Sequence, residues 1–279
     1  MNKIGSSETI RKTTFYFYNY EKKNVSHKNK INTHFLQWFI GFTEGDGSFI
    51  VSNTRLFFII NQKQEKILHI IHTFLGFGKV SKYKTYSRFI VADKTNVDRL
   101  ISIFNGNLVL QKTNARFVSW LHARNMYTNE KIPYLGKNEF SSFENNAWLS
   151  GFIDAEGCFN AMKIIDKRYS LGFRVRLRFI LDQKYENNIF YKLQNFLESG
   201  VISKRLQVEN MFRFTSTSIS SHEKLIQYLK KFSLRSFKKV SFIRFTSLVF
   251  YIKNRKILPW QNKVLLKVEN LIQNISKKS

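Results

Sequence analysis

The sequence predicts an α+β protein built from two copies of one unit, and three observations carry that expectation. "WFIGFTEGDGSF" from Trp38 and "WLSGFIDAEGCF" from Trp148 agree at five of twelve positions at an offset of 110, and they exchange acid for acid at Glu44/Asp154 and Asp46/Glu156. A repeat of that period indicates a duplicated domain rather than a solenoid. Downstream of each copy, apolar residues recur first at period two and then at helical spacing. Between the copies, residues 126–146 are polar and include Pro133 and Gly136, which suits a linker.

Taken in order, the first copy opens with an apolar helix that ends at its two acids. Strands are expected around Ser48–Arg55 and Leu56–Asn61, a helix over Glu65–Leu75, strands around Lys79–Lys84 and Tyr86–Ala92, then helices from Asn96 and Leu110. The second copy answers block by block. Asp182-Gln183-Lys184 matches Asn61-Gln62-Lys63, Phe196-Leu197 and Gly200 match Phe74-Leu75 and Gly78, and Leu234 and Lys238 match Leu108 and Lys112. The offset grows from 110 to 126, so insertions fall between matched blocks, where loops tolerate them. The order helix, two strands, helix, two strands, helix places units at 34–125 and 147–279. Residues 1–33 carry Arg11, Lys12, Lys22 and Lys23 beside Glu8 and Glu21. They are expected to form a flexible basic arm or fused exon sequence rather than a removable targeting peptide.

Composition narrows the partner. Lys and Arg number 46 against 19 Asp and Glu, a net charge of +27, and the default partner of such a chain is nucleic acid. No stretch approaches the roughly 18 apolar residues of a spanning helix, so a soluble protein without a membrane partner is expected. With Cys158 alone there is no internal disulfide and no thiolate zinc site, and Cys158 is expected to be a small buried residue. Abundant Phe, Lys, Asn, Ile and Tyr, with only 2 Pro, suit the A/T-biased codons of an organellar gene.

The paired acids define the chemistry. Small residues four apart, Gly41 with Gly45 and Gly151 with Ala155, give each helix a face that another backbone can approach, and the natural partner is the other copy. Asp46 and Glu156 would then meet near one axis. A carboxylate at a helix C-terminus opposes the dipole by roughly 0.3–1 kcal/mol, and a second like charge adds to the conflict. Mg²⁺ relieves it, since it binds one or two carboxylates together with water and phosphate oxygens. Acids beside a phosphodiester are how such ions orient an attacking water and neutralise the leaving oxygen.

"FIGFTEGDG" and "LSGFIDAEG", each with its matching downstream block, resemble the two signature helices of the LAGLIDADG homing endonucleases in their single-chain form, over about residues 35–250. The resemblance implies two pseudo-symmetric αββαββα units whose antiparallel sheets form a DNA-binding saddle over the major groove, with the signature helices at the interface. It implies that Asp46 and Glu156 bind metal, with the carbonyls of Gly45 and Ala155 contributing, and that Glu44 and Asp154 are helix-end or structural groups. Gln62 and Gln183, read as helix starts, resemble the residue that organises water beside the metals; a local backbone bond weighs equally. Lys112 and Lys238 are candidates for phosphates near the cut, against the slightly favoured reading of solvated helix lysines. Thr43 stands where an apolar residue is typical and Ser150 where Ala is, and neither is a metal-binding position.

For the binding surface, Arg174, Arg176 and Arg178 alternate with Phe173, Val175, Leu177 and Phe179, which sets three guanidiniums on one sheet face without an interleaved acid. Arginine reads guanine edges and clamps phosphates. Lys82, Lys84, Tyr86 and Arg88 form a weaker counterpart, again expected on one face. His69 and His72 lie three apart with no further ligand close in sequence and are read as structural; His122 and His222 point to no chemistry. The expected function is a monomeric, Mg²⁺-dependent endonuclease cutting both strands of a long, near-palindromic DNA site, encoded in a mitochondrion, with a chloroplast as the other host. The alternative is a maturase that binds its host group I intron RNA, with or without nuclease activity. A DNA-binding repressor that has lost cleavage is disfavoured because both acids remain.

Overall fold

A computed structural model describes residues 14–23, 32–140, 142–206, 208–255, 260–275 and 277. The chain divides into two units, Met1–Ala155 and Glu156–Ser279. The first begins with a short helix, α1 (Tyr18–Glu21), whose neighbour Phe17 and whose Tyr20 are buried. Burial pushes the Tyr20 hydroxyl up to about 12. The main chain of this segment is tied down: Tyr16 N donates to Asn107 Oδ1 at 2.8 Å, Asn107 Nδ2 donates back to Tyr16 O at 2.8 Å, and Arg99 Nε donates to Lys23 O at 2.8 Å. Residues 14–23 are therefore packed, not the flexible arm that charge alone suggests, because two buried aromatic side chains outweigh the solvation of Lys22 and Lys23. Glu8, Arg11 and Lys12 lie outside the described residues.

Asn32 caps α2 (Thr33–Asp46), its Oδ1 accepting from His34 N at 2.7 Å. The chain passes directly into β1 (Gly47–Ser52) and returns as β2 (Arg55–Gln62). The turn falls at Asn53-Thr54, earlier than strand periodicity suggests, because Asn53 accepts a left-handed φ of 52° that β-branched or bulky residues resist. Helix α3 (Glu65–Leu75) closes on Gly76, and β3 (Lys79–Lys82), β4 (Ser87–Val91), α4 (Lys94–Phe104) and α5 (Gln111–Met126) follow. The antiparallel sheet has the order β1-β2-β4-β3. Its core side carries Phe49, whose ring lies 5.2–5.5 Å from those of Phe58, Phe104, Phe117 and Trp120.

Helix α6 (Trp148–Glu156) belongs to the first unit through Ala155. The second unit continues with β5 (Cys158–Ile165), β6 (Phe173–Lys184), α7 (Asn187–Leu197), β7 (Val201–Lys204), β8 (Met211–Ser216), α8 (Ile219–Lys231), α9 (Lys238–Lys253) and α10 (Asn262–Asn274). The sheet order β5-β6-β8-β7 repeats that of the first unit. Phe159 takes the place of Phe49, 5.6 Å from Phe179 and 5.1 Å from Phe245. The matched Gly78 and Gly200 also have a physical reason. Both have positive φ, 89° and 127°, and a Cβ at either would sit 2.5 or 2.4 Å from the ring of Phe89 or Phe214.

Candidate functional site

The two signature helices meet through glycine. A Cβ at Gly41 would lie 2.0 Å from Trp148 O, and one at Gly151 would lie 1.8 Å from Trp38 O, so the backbones touch reciprocally and no larger residue fits without displacement. The same tryptophans bond across the pair: Trp38 Nε1 donates to Asp154 Oδ2 at 2.8 Å, and Trp148 Nε1 donates to Glu44 Oε2 at 2.5 Å. Glu44 also accepts from Val109 N at 2.9 Å and Leu110 N at 2.6 Å through Oε1, which places its charge at the positive end of α5. Both acids are buried. Glu44 and Asp154 thus serve the packing of the helices, which is the structural reading made of them from sequence.

Asp46 and Glu156, two residues further on, are the last residues of α2 and α6, half-buried, in last turns that contain no basic residue. Gln62 Nε2 donates to Asp46 Oδ2 at 2.7 Å. Gln62 ends β2 and Gln183 lies next to the end of β6, so neither begins a helix as expected. The strands run on through them because Asn61-Gln62 and Asp182-Gln183 still pair with β4 and β8. Gln183 makes no side-chain hydrogen bond to a described residue. Lys112 and Lys238 stand in the first turns of α5 and α9, and Gly45 and Ala155 directly precede the acids. Gly47 lets the helix give way to a strand in one step: its N–H bonds to Thr43 O, and a Cβ there would lie 2.5 Å from Thr43 Cγ2.

Each helix end therefore offers a carboxylate and terminal carbonyls, an all-oxygen donor set that suits Mg²⁺ or Ca²⁺ and not the nitrogen and sulfur sites of zinc or copper. Among the described residues no group of three His, Cys, Asp or Glu could hold a metal. His69 lies 3.1 Å from Glu65, one turn away on an exposed helix face.

On the second sheet, Arg174, Arg176 and Arg178 share the face opposite the buried Phe173, Leu177 and Phe179. Arg178 donates to Asn160 Oδ1 through Nε and Nη2 at 3.1 and 2.9 Å, and Arg176 makes no side-chain hydrogen bond to a described residue. Arg174 Nε lies 3.6 Å from Asp166 Oδ2, so an acid from the hairpin loop reaches a row that reads as acid-free along its own strand. Sequence reasoning missed Arg205 and Arg213, which both bond to Asp182; the hydrogen bonds from Arg213 hold that carboxyl below the usual carboxylate range. The only signal was Asp182 in the block matching Asn61, and nothing local names its partners.

On the first sheet the four expected contacts do not share a face. Residues 83–86 form a turn closed by Tyr83 N to Tyr86 O at 2.8 Å, which breaks the alternation and leaves Lys84 in the turn. Lys82 pairs with Ser87 on the side of Phe89, whereas Arg88 points the other way beside Tyr86. Cys158 is exposed, against expectation, because Phe159 takes the core side of β5 and its neighbour must face outward.

Residues 39–124 and 149–249 match the family described as LAGLIDADG endonuclease. A Neurospora crassa protein named "Probable intron-encoded endonuclease 4" is 35% identical over 240 residues, 83% of this chain. The chain spans 43% of that relative's length. The LAGLIDADG meganuclease I-AabMI, solved bound to uncleaved DNA, superposes with a TM-score of 0.68 at 22% identity, covering 87% of this chain and 99% of that one. The meganuclease I-SmaMI, solved bound to uncleavable DNA, gives 0.70 at 16% identity over 88% and 99% of the two chains.

Proposed function

This chain belongs to the LAGLIDADG endonuclease family, and we propose that it is a site-specific, Mg²⁺-dependent endonuclease that cuts both strands of a long, near-palindromic DNA site as a monomer. The observation that carries this reading is the division of labour within each signature motif. Glu44 and Asp154 accept from the facing tryptophans, Glu44 also from two backbone N–H groups, while Asp46 and Glu156 are the half-buried last residues of their helices, with Gln62 donating to Asp46. A carboxylate at that end of a helix opposes the dipole.

In this reading Asp46 and Glu156 hold the ions, with the carbonyls of Gly45 and Ala155 beside them. A bound divalent ion supplies Lewis acidity, orienting the attacking water and offsetting charge on the leaving oxygen. The protein's own contributions are positional. Gln62 fixes the rotation of the Asp46 carboxylate by bonding to Oδ2, and Gln183 is its counterpart in the second unit. Lys112 and Lys238 contact phosphates near the cut. Arg174, Arg176, Arg178, Tyr86 and Arg88 contact the bound duplex, with Lys82 and Lys84 limited to phosphates. A net charge of +27 draws DNA in and makes binding salt-dependent. The A/T-biased composition and the intron-encoded relative support expression from a mitochondrial intron.

The test is cleavage of a supercoiled random-target plasmid library with Mg²⁺, with Asp46→Asn and Ca²⁺ alongside. One recovered long site, cut by the wild type and not by the variant, is the expected result. A library left uncut at every site sinks the proposal, and tight binding of intron RNA without DNA cutting moves the assignment to a maturase.

A further inference from the structure

The residue before each site glutamine faces an arginine across the sheet. Asn61 precedes Gln62 and pairs with Arg88, while Asp182 precedes Gln183 and pairs with Arg213. Both pairs lie on the outer face, opposite the buried Phe89 and Phe214. In the first unit Arg88 Nε donates to Asn61 Oδ1 at 2.9 Å and Nη2 to Tyr86 Oη at 3.3 Å. Its guanidinium sits 5.3 and 5.6 Å from the rings of Tyr83 and Tyr86, which stack at 4.8 Å. In the second unit Arg213 is clamped on one edge by a carboxylate, Nε to Oδ1 at 2.7 Å and Nη2 to Oδ2 at 2.6 Å, and Arg205 Nη1 reaches the same Oδ2 at 3.0 Å.

Fork geometry decides what these arginines can do. A guanidinium has five N–H groups, and a carboxylate on the Nε/Nη2 edge leaves the terminal Nη edge, which matches O6 and N7 of guanine. An amide oxygen engages that arginine with one bond where the carboxylate engages it with two, so the amide holds it less firmly. We propose that Asp182 and Asn61 are positioning residues for base readout: Asp182 locks Arg213 as a stringent guanine reader, and Asn61 leaves Arg88 a looser one in the DNA contacted by the first unit. This rests on the proposed DNA-cutting function. It predicts one position of strong guanine preference, roughly ten-fold or more over other bases, under the second unit, and a weaker preference at the matching position under the first.

The experiment is base-preference profiling by cleavage and by Ca²⁺-supported binding on the recovered target randomised one position at a time. Wild type, Asp182→Asn and Asn61→Asp are compared. Asp182→Asn should relax the guanine preference at its position several-fold and leave the other positions unchanged, whereas Asn61→Asp should sharpen the matching position. A merely structural role would change affinity evenly across all positions. If wild type cuts a defined site but neither substitution alters any single-base preference, or no guanine position exists under the second unit, this inference fails while the nuclease assignment stands. Absence of DNA binding and cutting by the wild type overturns both. Asn61→Asp keeps the test informative if Asp182→Asn folds poorly.

Discussion

On the outer face of the first sheet stand Ile50, Arg55, Phe57, Ile59, Asn61, Arg88 and Ile90; on the second the same face holds Met162, Arg174, Arg176, Arg178, Ile180, Asp182 and Arg213. Beneath those faces the two units share one strand order, the glycine under each strand-four phenylalanine and the aromatic residue that opens the first hairpin. The duplication has kept what backbone contact and core packing demand and has let the solvent-facing side diverge. That is expected where the inner positions touch protein and the outer ones touch a partner whose two halves need not be identical.

The sharpest way to break the symmetric part of this comparison is at the helix contact. Gly41→Ala and Gly151→Ala each force a methyl group into a backbone oxygen. We expect losses at or above the upper end of the roughly 1–3 kcal/mol of overpacking, and of similar size for both, read from denaturant midpoints. Tolerance of one but not the other would show that the contact is not reciprocal. The asymmetric part is tested next by the glutamines. Gln62→Ala, which removes the amide bonded to Asp46 Oδ2, should slow cleavage about 10–100-fold, as loss of a metal-ligand orienting group does, while Gln183→Ala should cost less. Strand-resolved nicking on the cloned target measures both.

Smaller effects follow from residues at matched positions. Thr43 and Ile153 are equivalent in the motif, yet Thr43 Oγ1 is buried without a hydrogen bond. Thr43→Val should therefore stabilise the protein by about 1 kcal/mol, seen as a raised denaturation midpoint. Val97 and His222 each lie four residues after the helix-starting caps Asp93 and Ser218. Burial pushes the His222 imidazole below its ordinary value, with only Ser216 O opposing. A folded-state value below the unfolded one near 6.5 means that stability is full above that pH and is lost as pH falls beneath it. His222→Val should flatten that part of the stability profile, as measured by urea denaturation between about pH 7 and 5.

These particulars show what can be read from a sequence. The signature helices, the strand pairs and the repeat were legible because local periodicity determines them. A break at Thr85 was legible, but not that the turn takes in all of residues 83–86 and so ends the alternation of Lys82, Lys84, Tyr86 and Arg88, since "KYKTYS" contains no Gly or Pro. Cys158 was misjudged as an isolated residue, although its repeat partner Ser48 and the inward Phe159 imply an outward side chain. Glu44 meets Val109 and Leu110, and Asp182 meets Arg213; both contacts span long sequence separations and depend on register, which composition does not encode. The docked segment around Phe17 and Tyr20 was hidden by its charges.

The central claim is that acids two residues apart on one helix have different jobs. It is tested most directly by Asp46→Asn beside Glu44→Gln, each assayed for thermal melting and for Mg²⁺-dependent cutting per folded molecule. The account predicts that Asp46→Asn melts no lower than wild type and does not cut. Glu44→Gln, with an amide facing the Trp148 N–H, should lose about 1–3 kcal/mol of stability, yet its folded fraction should cut normally. Cleavage at the wild-type rate by Asp46→Asn, or a stable and inactive Glu44→Gln, would contradict it.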